Sequence, residues 1–316
     1  MKHEPKVTVR PGSEADGSSD DDDVIGPMPA EAENAGEYEE EAEDDEENEE
    51  DDEFPVSHEI VLRDHHKAVS AITLDPSGSR LVSGSYDYDI KFWDFGGMNS
   101  ELKPFKTVEA VEGHPVHHLE YSHSGDSLLA ITSSVQAKLY SREGIELTEF
   151  AKGDMYLRDM RHTKGHVAEI TSAAWNPLHR DEFITASADS TVRIWDVNSK
   201  WEHKTLIVLR GKGSGVAQRT KITACAYSPD GRWIGAAAND GTVNLWGANG
   251  PFNRPAGMAD GHVRLSETSG ITFSHDGNHL VTRGGDETVK CTFVHLKNTN
   301  DSMGYQKLQN TSSTTK

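Results

Sequence analysis

The chain has 316 residues, 53 of them acidic and 31 basic, for a formal net charge of −22. Residues 1–53 hold 23 of the acidic residues and 3 of the basic ones, a net of −20, whereas the other 263 residues come to only −2. A nearly neutral body argues against direct, specific nucleic-acid binding through a basic field. Two cysteines, Cys225 and Cys291, cannot build a disulfide framework, and no CxxC pair offers a zinc site.

The chain divides into three parts: an acidic tail over 1–55, a repetitive body over 56–292 and a polar tail over 293–316. No apolar leader opens the sequence and no stretch reaches the length of a membrane span, so a soluble intracellular protein with no membrane partner is expected. In the acidic tail, like charges repel and little apolar surface offsets the entropy of ordering; disorder is expected. Ser18 and Ser19 precede Asp20, Asp21, Asp22 and Asp23, a pattern for acidophilic kinases, and are candidate phosphosites. The tail reads either as a solubiliser or as bait for a basic protein. Val24-Ile25-Gly26-Pro27-Met28-Pro29 within it is a docking peptide or a spacer.

The body repeats itself. Asp75-Pro76-Ser77-Gly78, Leu81-Val82-Ser83, Asp87 and Ile90-Lys91-Phe92-Trp93-Asp94 return as Trp175-Asn176-Pro177, Phe183-Ile184-Thr185, Asp189 and Val192-Arg193-Ile194-Trp195-Asp196. A third copy holds Ser228-Pro229-Asp230-Gly231, Asp240 and Trp246; a fourth holds His275-Asp276-Gly277, Thr282 and Asp286. A weaker copy lies between the first two, with Ser134 at the Asp position and Tyr140 at the Trp position. In each full copy Asp precedes Trp by six residues, and the Trp-equivalent positions 93, 140, 195, 246 and 292 step by 47, 55, 51 and 46. Short β-rich runs such as Val69–Leu74, separated by Gly, Pro and Asp turns, predict successive strands with no long helix.

This period and these residues resemble the WD40 β-propeller family. The resemblance implies an all-β fold of about five four-stranded blades, the second and fifth degenerate, forming an incomplete propeller. An open array leaves apolar faces uncovered, and a chain prone to aggregation on its own is expected. Family membership also implies that each blade is locked by a buried chain of Trp, Ser/Thr, His and Asp. The sets are His65, Ser83, Asp87 and Trp93 in the first blade, and His166, Thr185, Asp189 and Trp195 in the third. The fourth has Asp240 and Trp246 but Ala236 in place of the hydroxyl; the fifth has His262, Thr282 and Asp286. Ser, His and Asp are also the ingredients of a hydrolase triad. Their recurrence once per blade beside a Trp favours the architectural reading, with no enzyme, metal or cofactor expected. The His114, His117, His118 and His123 cluster lacks Cys or acidic partners and reads as a polar loop, with His114 at the blade-loop position.

After Lys290 the fifth copy gives Cys291-Thr292-Phe293 where an apolar residue, Trp and Asp are due, a break that reads as an alternative exon, a read-through intron or a gene-model error. Ile25–Pro29, Gly84-Ser85-Tyr86-Asp87-Tyr88-Asp89, Lys152-Gly153-Asp154-Met155-Tyr156 and Thr163-Lys164-Gly165-His166 together resemble the gastrulation-defective type of WD repeat protein. That resemblance implies a nuclear scaffold linked to DDB1–Cullin 4 ubiquitin-ligase components, histone ubiquitination, the DNA-damage response and spliceosomal factors. Ligase adaptors of this kind carry Trp-Asp-x-Arg; here Trp93-Asp94 is followed by Phe95-Gly96 and Trp195-Asp196 by Val197-Asn198. Tyr86 and Tyr88, flanking the first turn Asp, are candidate partner contacts, one packed and one exposed. The competing reading is an acidic chaperone for histones or other basic proteins, with the tail as its active element.

Overall fold

The computed structural model describes residues 59–157, 159–210, 220–263, 266–294 and 311–313. The acidic tail, with Ser18 and Ser19, lies outside the described residues. Five four-stranded antiparallel sheets form, each from consecutive strands. The first holds β1 (Val69–Leu74), β2 (Arg80–Ser85), β3 (Asp89–Asp94) and β4 (Lys106–Glu109). The second holds β5 (Val116–Tyr121), β6 (Ser127–Thr132), β7 (Lys138–Ser141) and β8 (Glu146–Glu149). The third holds β9 (Ile170–Trp175), β10 (Glu182–Ser187), β11 (Thr191–Asp196) and β12 (Thr205–Val208). The fourth holds β13 (Ile222–Tyr227), β14 (Trp233–Ala238), β15 (Thr242–Gly247) and β16 (Gly257–Asp260). The fifth holds β17 (Thr268–Phe273), β18 (His279–Gly284), β19 (Val289–Phe293) and β20 (Thr311–Ser313).

Local chemistry explains the repeat. The turn after the first strand closes through Gly78, Gly125, Gly231 and Gly277, all at φ between +66° and +76°, a conformation that costs glycine nothing. The turn after the second strand puts Tyr88, Ser190, Gly241 and Glu287 at positive φ. There the turn Asp accepts the amide two residues on: Asp89 to Asp87 (3.2 Å), Thr191 to Asp189 (3.0 Å), Thr242 to Asp240 (3.0 Å) and Thr288 to Asp286 (3.3 Å). This is why Asp240 persists in a sheet with no histidine: the turn itself uses the carboxylate.

The Trp-equivalent positions share one register. Trp93 faces Leu81, Tyr140 faces Leu128, Trp195 faces Phe183, Trp246 faces Ile234 and Thr292 faces Leu280. β19 therefore continues through Cys291-Thr292-Phe293 although the sequence pattern fails there. Backbone pairing asks only for an extended chain, and β20 joins β19 from within the segment 293–316 in the same way.

The first strands pack side by side, β1 on β5, β5 on β9, β9 on β13 and β13 on β17. Apolar residues fill each gap: Val82, Ile90 and Phe92 meet Val116, Leu119 and Tyr121, and Ile184, Val192 and Ile207 meet Ile222, Cys225 and Tyr227. β17 forms no comparable packing with β1 among the described residues. The fold is a β-propeller in incomplete form. Its open end shows on β1, where Val69, Ile72 and Leu74 are 52%, 64% and 54% exposed. Their counterparts Val116, Leu119 and Tyr121 on β5 are buried against the preceding sheet.

Candidate functional site

The Ser/Thr–His–Asp sets converge in space. In the first sheet, His65 Nδ1 lies 2.9 Å from Asp87 Oδ2 and His65 Nε2 lies 2.8 Å from Ser83 Oγ. Trp93 Nε1 donates to that hydroxyl at 2.9 Å. The third sheet repeats the geometry: His166 to Asp189 at 3.0 Å, His166 to Thr185 at 2.7 Å and Trp195 Nε1 to Thr185 Oγ1 at 2.8 Å. The fifth keeps His262 to Asp286 at 2.9 Å and His262 to Thr282 at 3.0 Å, but Thr292 supplies no indole. In the fourth, Trp246 is buried and Ala236 offers no hydroxyl, so Asp240 and Trp246 are not joined by such a chain.

The donors run one way. Indole N–H can only donate and an ionised carboxylate can only accept. The Thr185 hydroxyl therefore accepts a hydrogen bond from the Trp195 N–H and donates one to His166 Nε2, and His166 Nδ1–H donates to Asp189. Burial pushes the His166 imidazole down against the pull of Asp189, so the ring is neutral at pH 7. Burial raises the Asp189 carboxyl, but His166, the Thr191 hydroxyl and the Val167 amide outweigh it and bring it to about 2. The attraction of the His166 ring is the largest of these lowering effects, followed by its hydrogen bond and those of Thr191 and Val167. Asp87 is likewise brought to about 2: burial raises it, while the His66 amide, the His65 ring and the Asp89 amide lower it. Asp286 is lowered in the same way, the Thr288 hydroxyl outweighing its burial together with the Val263 amide and His262.

These shifts fix a pH dependence. Both groups of the His166–Asp189 pair have depressed values when folded, so their contribution is full above the unfolded values and is lost as pH falls. Stability is expected to decline below about pH 6.5, as the unfolded chain takes up the proton that buried His166 refuses. It falls again between about pH 4 and 2 as Asp189 is protonated on unfolding, a loss on the order of 2 kcal/mol. Urea titrations at pH 7, 5 and 3 measure both limbs, and Asp189→Asn flattens the lower one.

The sets are buried and bonded internally. Thr185 and His166 are fully buried and Ser83 is 5% exposed. Each hydroxyl of the first and third sheets is enclosed inside its blade between an indole donor and a ring nitrogen, where a substrate has no access. His114 is not brought to a hydroxyl or an Asp side chain. Ala130 stands at the hydroxyl position of the second sheet, and it is His117 that reaches Ser133, at 2.8 Å. No group of three His, Cys, Asp or Glu among the described residues is placed to hold a metal ion, and no described helix is long and apolar enough to cross a membrane.

Tyr86 and Tyr88 part company. Tyr86 is 46% exposed. Tyr88 sits at φ 78°, strained for a bulky side chain, with the Lys67 ammonium 4.8 Å from its ring centre.

One recurring role and one single residue are invisible in the Trp and Asp pattern. Each first strand carries a bulge at its second residue. There a hydroxyl crosses to the next sheet: Ser70 to Val116 O, Thr171 to Ile222 O at 2.9 Å and Thr223 to Thr268 O. The recurring Ser or Thr after an apolar residue is the signal that could have revealed them. The second is Arg193, wholly buried on β11 and pushed down by burial to about 10. Its guanidinium donates to Thr163 O (2.9 Å), Thr163 Oγ1 (2.6 Å) and Met160 O (3.3 Å), pinning the short 3-10 turn Met160–His162 against the sheet.

Comparison with known proteins agrees with this architecture. The WD domain, G-beta repeat model matches residues 57–94, 158–196 and 206–247. The chain is 43% identical over 239 residues to WD repeat-containing protein 70 of Xenopus laevis, covering 75% of this chain and 38% of that protein. It is 42% identical over 237 residues to the Gastrulation defective protein 1 homolog of Drosophila melanogaster (75% and 36%). To WD repeat-containing protein 70 of Homo sapiens it is 44% identical over 197 residues (62% and 29%). The chain thus spans less than half the length of these relatives. With its repeats matched and their register shared by all five sheets, the chain belongs to the WD40-repeat family.

Proposed function

We propose that this chain is a non-enzymatic protein-interaction scaffold that works in the nucleus, in ubiquitin-ligase and chromatin assemblies of the DNA-damage response or in spliceosome-linked ones. The observation that carries this reading is the burial and internal hydrogen bonding of the Ser/Thr–His–Asp sets. The residues that look most like chemistry are spent inside the blades, which leaves the surface as the part that acts. Tyr86 is the contact residue in this reading: its ring is exposed beside the first turn Asp, and tyrosine is enriched among the residues that carry interface energy. The Trp-Asp dipeptides serve their own loops, since Asp94 accepts the Gly96 amide at 3.0 Å and Asp196 the Asn198 amide at 2.8 Å. Neither is followed by the arginine of a ligase-adaptor motif, so recruitment of DDB1–Cullin 4 through that motif has no support in these two sheets.

The charge split, −20 in residues 1–53 against −2 elsewhere, favours one second reading, an acidic chaperone for histones or other basic proteins. Co-purification from nuclear extract, probed for ligase, chromatin and spliceosomal components, separates the two. For the scaffold, Tyr86→Ala reduces recovery several-fold while deletion of residues 12–53 leaves it intact. The reverse pattern, with histone binding lost on deletion, establishes the chaperone. Exclusion of the chain from the nucleus rejects the scaffold as stated.

A further inference from the structure

Beyond the tyrosine turn, a second surface has the makings of a binding site. A cleft of about 550 Å³ lies at the outer edge of the third sheet, beside the loop between β15 and β16 of the fourth. Leu206 and Val208 of the edge strand β12, with Phe252 of the loop, give it apolar walls. Arg161, Arg210 and Arg254 also line it, three guanidinium groups from three separate segments. Arg161 and Arg210, with Val208, continue into an adjoining cleft of about 330 Å³.

The three arginines are not explained by pairing within the fold. None of them is in ion-pair contact with a carboxylate among the described residues. Asp159 and Asp189 line the adjoining cleft; Asp159 attracts the Arg161 charge without ion-pair contact, and the hydrogen bonds of both carboxylates go elsewhere. Asp159 accepts the Arg161 amide at 3.0 Å and lies 3.2 Å from His162, and Asp189 is held by His166 and Thr191. Three cationic residues on one concavity, none in ion-pair contact, give it a charge that an anion complements.

The position of Arg161 is fixed from below. Buried Arg193 holds Met160 and Thr163 on either side of it, so a cation bonded to backbone and hydroxyl oxygens fastens the turn that presents Arg161. That buried anchoring gives one wall of the cleft a rigid backbone, which a binding site needs and a solvated surface arginine does not.

We propose that this cleft binds an acidic peptide of a partner protein. Its Asp and Glu carboxylates would pair with Arg161, Arg210 and Arg254, and an apolar residue among them would rest on Leu206, Val208 and Phe252. Guanidinium forks match carboxylates two bonds at a time, and apolar walls keep water from competing. The size admits a few side chains, not a long polyanion. The near-neutral body supplies no general basic field for a nucleic acid.

Fluorescence anisotropy with the full chain tests this, the probe being a labelled synthetic twelve-residue peptide of Asp and Glu around a central Leu. Arg210→Glu and Arg254→Glu are each expected to weaken binding at least ~10-fold. Arg210→Gln should weaken it less, and Lys103→Glu, at an exposed site on the first sheet, should leave it unchanged. Raising salt from about 50 to about 300 mM should also weaken binding. Thermal melts establish that each variant is folded. The proposal is overturned if the full chain does not bind the peptide at low salt, or if a peptide with Gln and Asn in place of Glu and Asp binds equally well. It is also overturned if Arg210→Glu and Arg254→Glu bind like the parent chain, or if single-stranded RNA binds more tightly than the peptide.

Discussion

Thr185→Val is expected to destabilise the protein by about 3 kcal/mol, although it keeps the shape of a fully buried side chain. The loss comes from what the methyl group strands. Trp195 Nε1 donates to Thr185 Oγ1, and that oxygen donates onward to His166 Nε2. Valine leaves an indole N–H and a ring nitrogen unpaired in a site without water access, each at about 1–3 kcal/mol. Thr185→Ser, which retains the hydroxyl, should recover most of the loss. The same logic makes Trp195→Phe and Thr185→Val non-additive: once the indole is gone, one of the two stranded groups no longer exists. Urea denaturation of the single and double variants measures this, provided the transition is first shown to be cooperative, because stacked repeats can unfold in parts. A change within about 0.5 kcal/mol for Thr185→Val would falsify the architectural role. Loss of a measurable catalytic activity at full stability would instead return the Ser/Thr–His–Asp sets to chemistry.

What could be read from the amino-acid order, and what could not, follows from the range of each interaction. The Trp positions 93, 140, 195, 246 and 292 are legible because each is fixed by local turn geometry. The tight turn between the second and third strands sets the register, and the structure places all five opposite equivalent residues. The turn Asp is legible for the same reason. The hydroxyls of Ser70, Thr171 and Thr223 were missed because their partners lie on another sheet, tens of residues away. Arg193 was missed because a cation between apolar residues on a strand looks solvent-facing until the Met160–His162 turn covers it. The second sheet shows the limit of pattern alone. Sequence order put His114 at the loop position, but the bulge in β5 presents His117, which takes Ser133 as its partner. At the fifth sheet the sequence loses its signal at Cys291, yet the strand continues, because hydrogen bonds along β18 do not depend on the side chains that had carried the pattern.

Gly165→Ala is expected to be at least as damaging as Thr185→Val, and for a reason that hydrogen-bond chemistry does not touch. A Cβ at Gly165 would lie 1.9 Å from Ala151 O, and one at Gly153 would lie 2.2 Å from Gly165 O. The two glycines mark a crossing of backbone on backbone, sealed where the Gly153 amide donates to His166 O at 2.8 Å. No rotamer change can clear a carbonyl, so one strand of the crossing must move away. Because His166 is the next residue, its ring moves with it and loosens from Asp189 and Thr185. Overpacking in a tight core costs about 1–3 kcal/mol; opening a buried network adds to that, for an expected total of about 4 kcal/mol. Gly153→Ala should act on the same contact, so the double variant should cost scarcely more than the worse single one. Gly78→Ala provides the contrast: a Cβ there meets open space, and only its φ of +70° opposes the change, a penalty of about 1 kcal/mol. Hydrogen exchange at the Gly153 amide distinguishes the mechanisms, since Gly165→Ala should release it and Thr185→Val should not. Protection retained in Gly165→Ala would mean that the crossing admits a Cβ without parting, and the lock on His166 would then need another explanation.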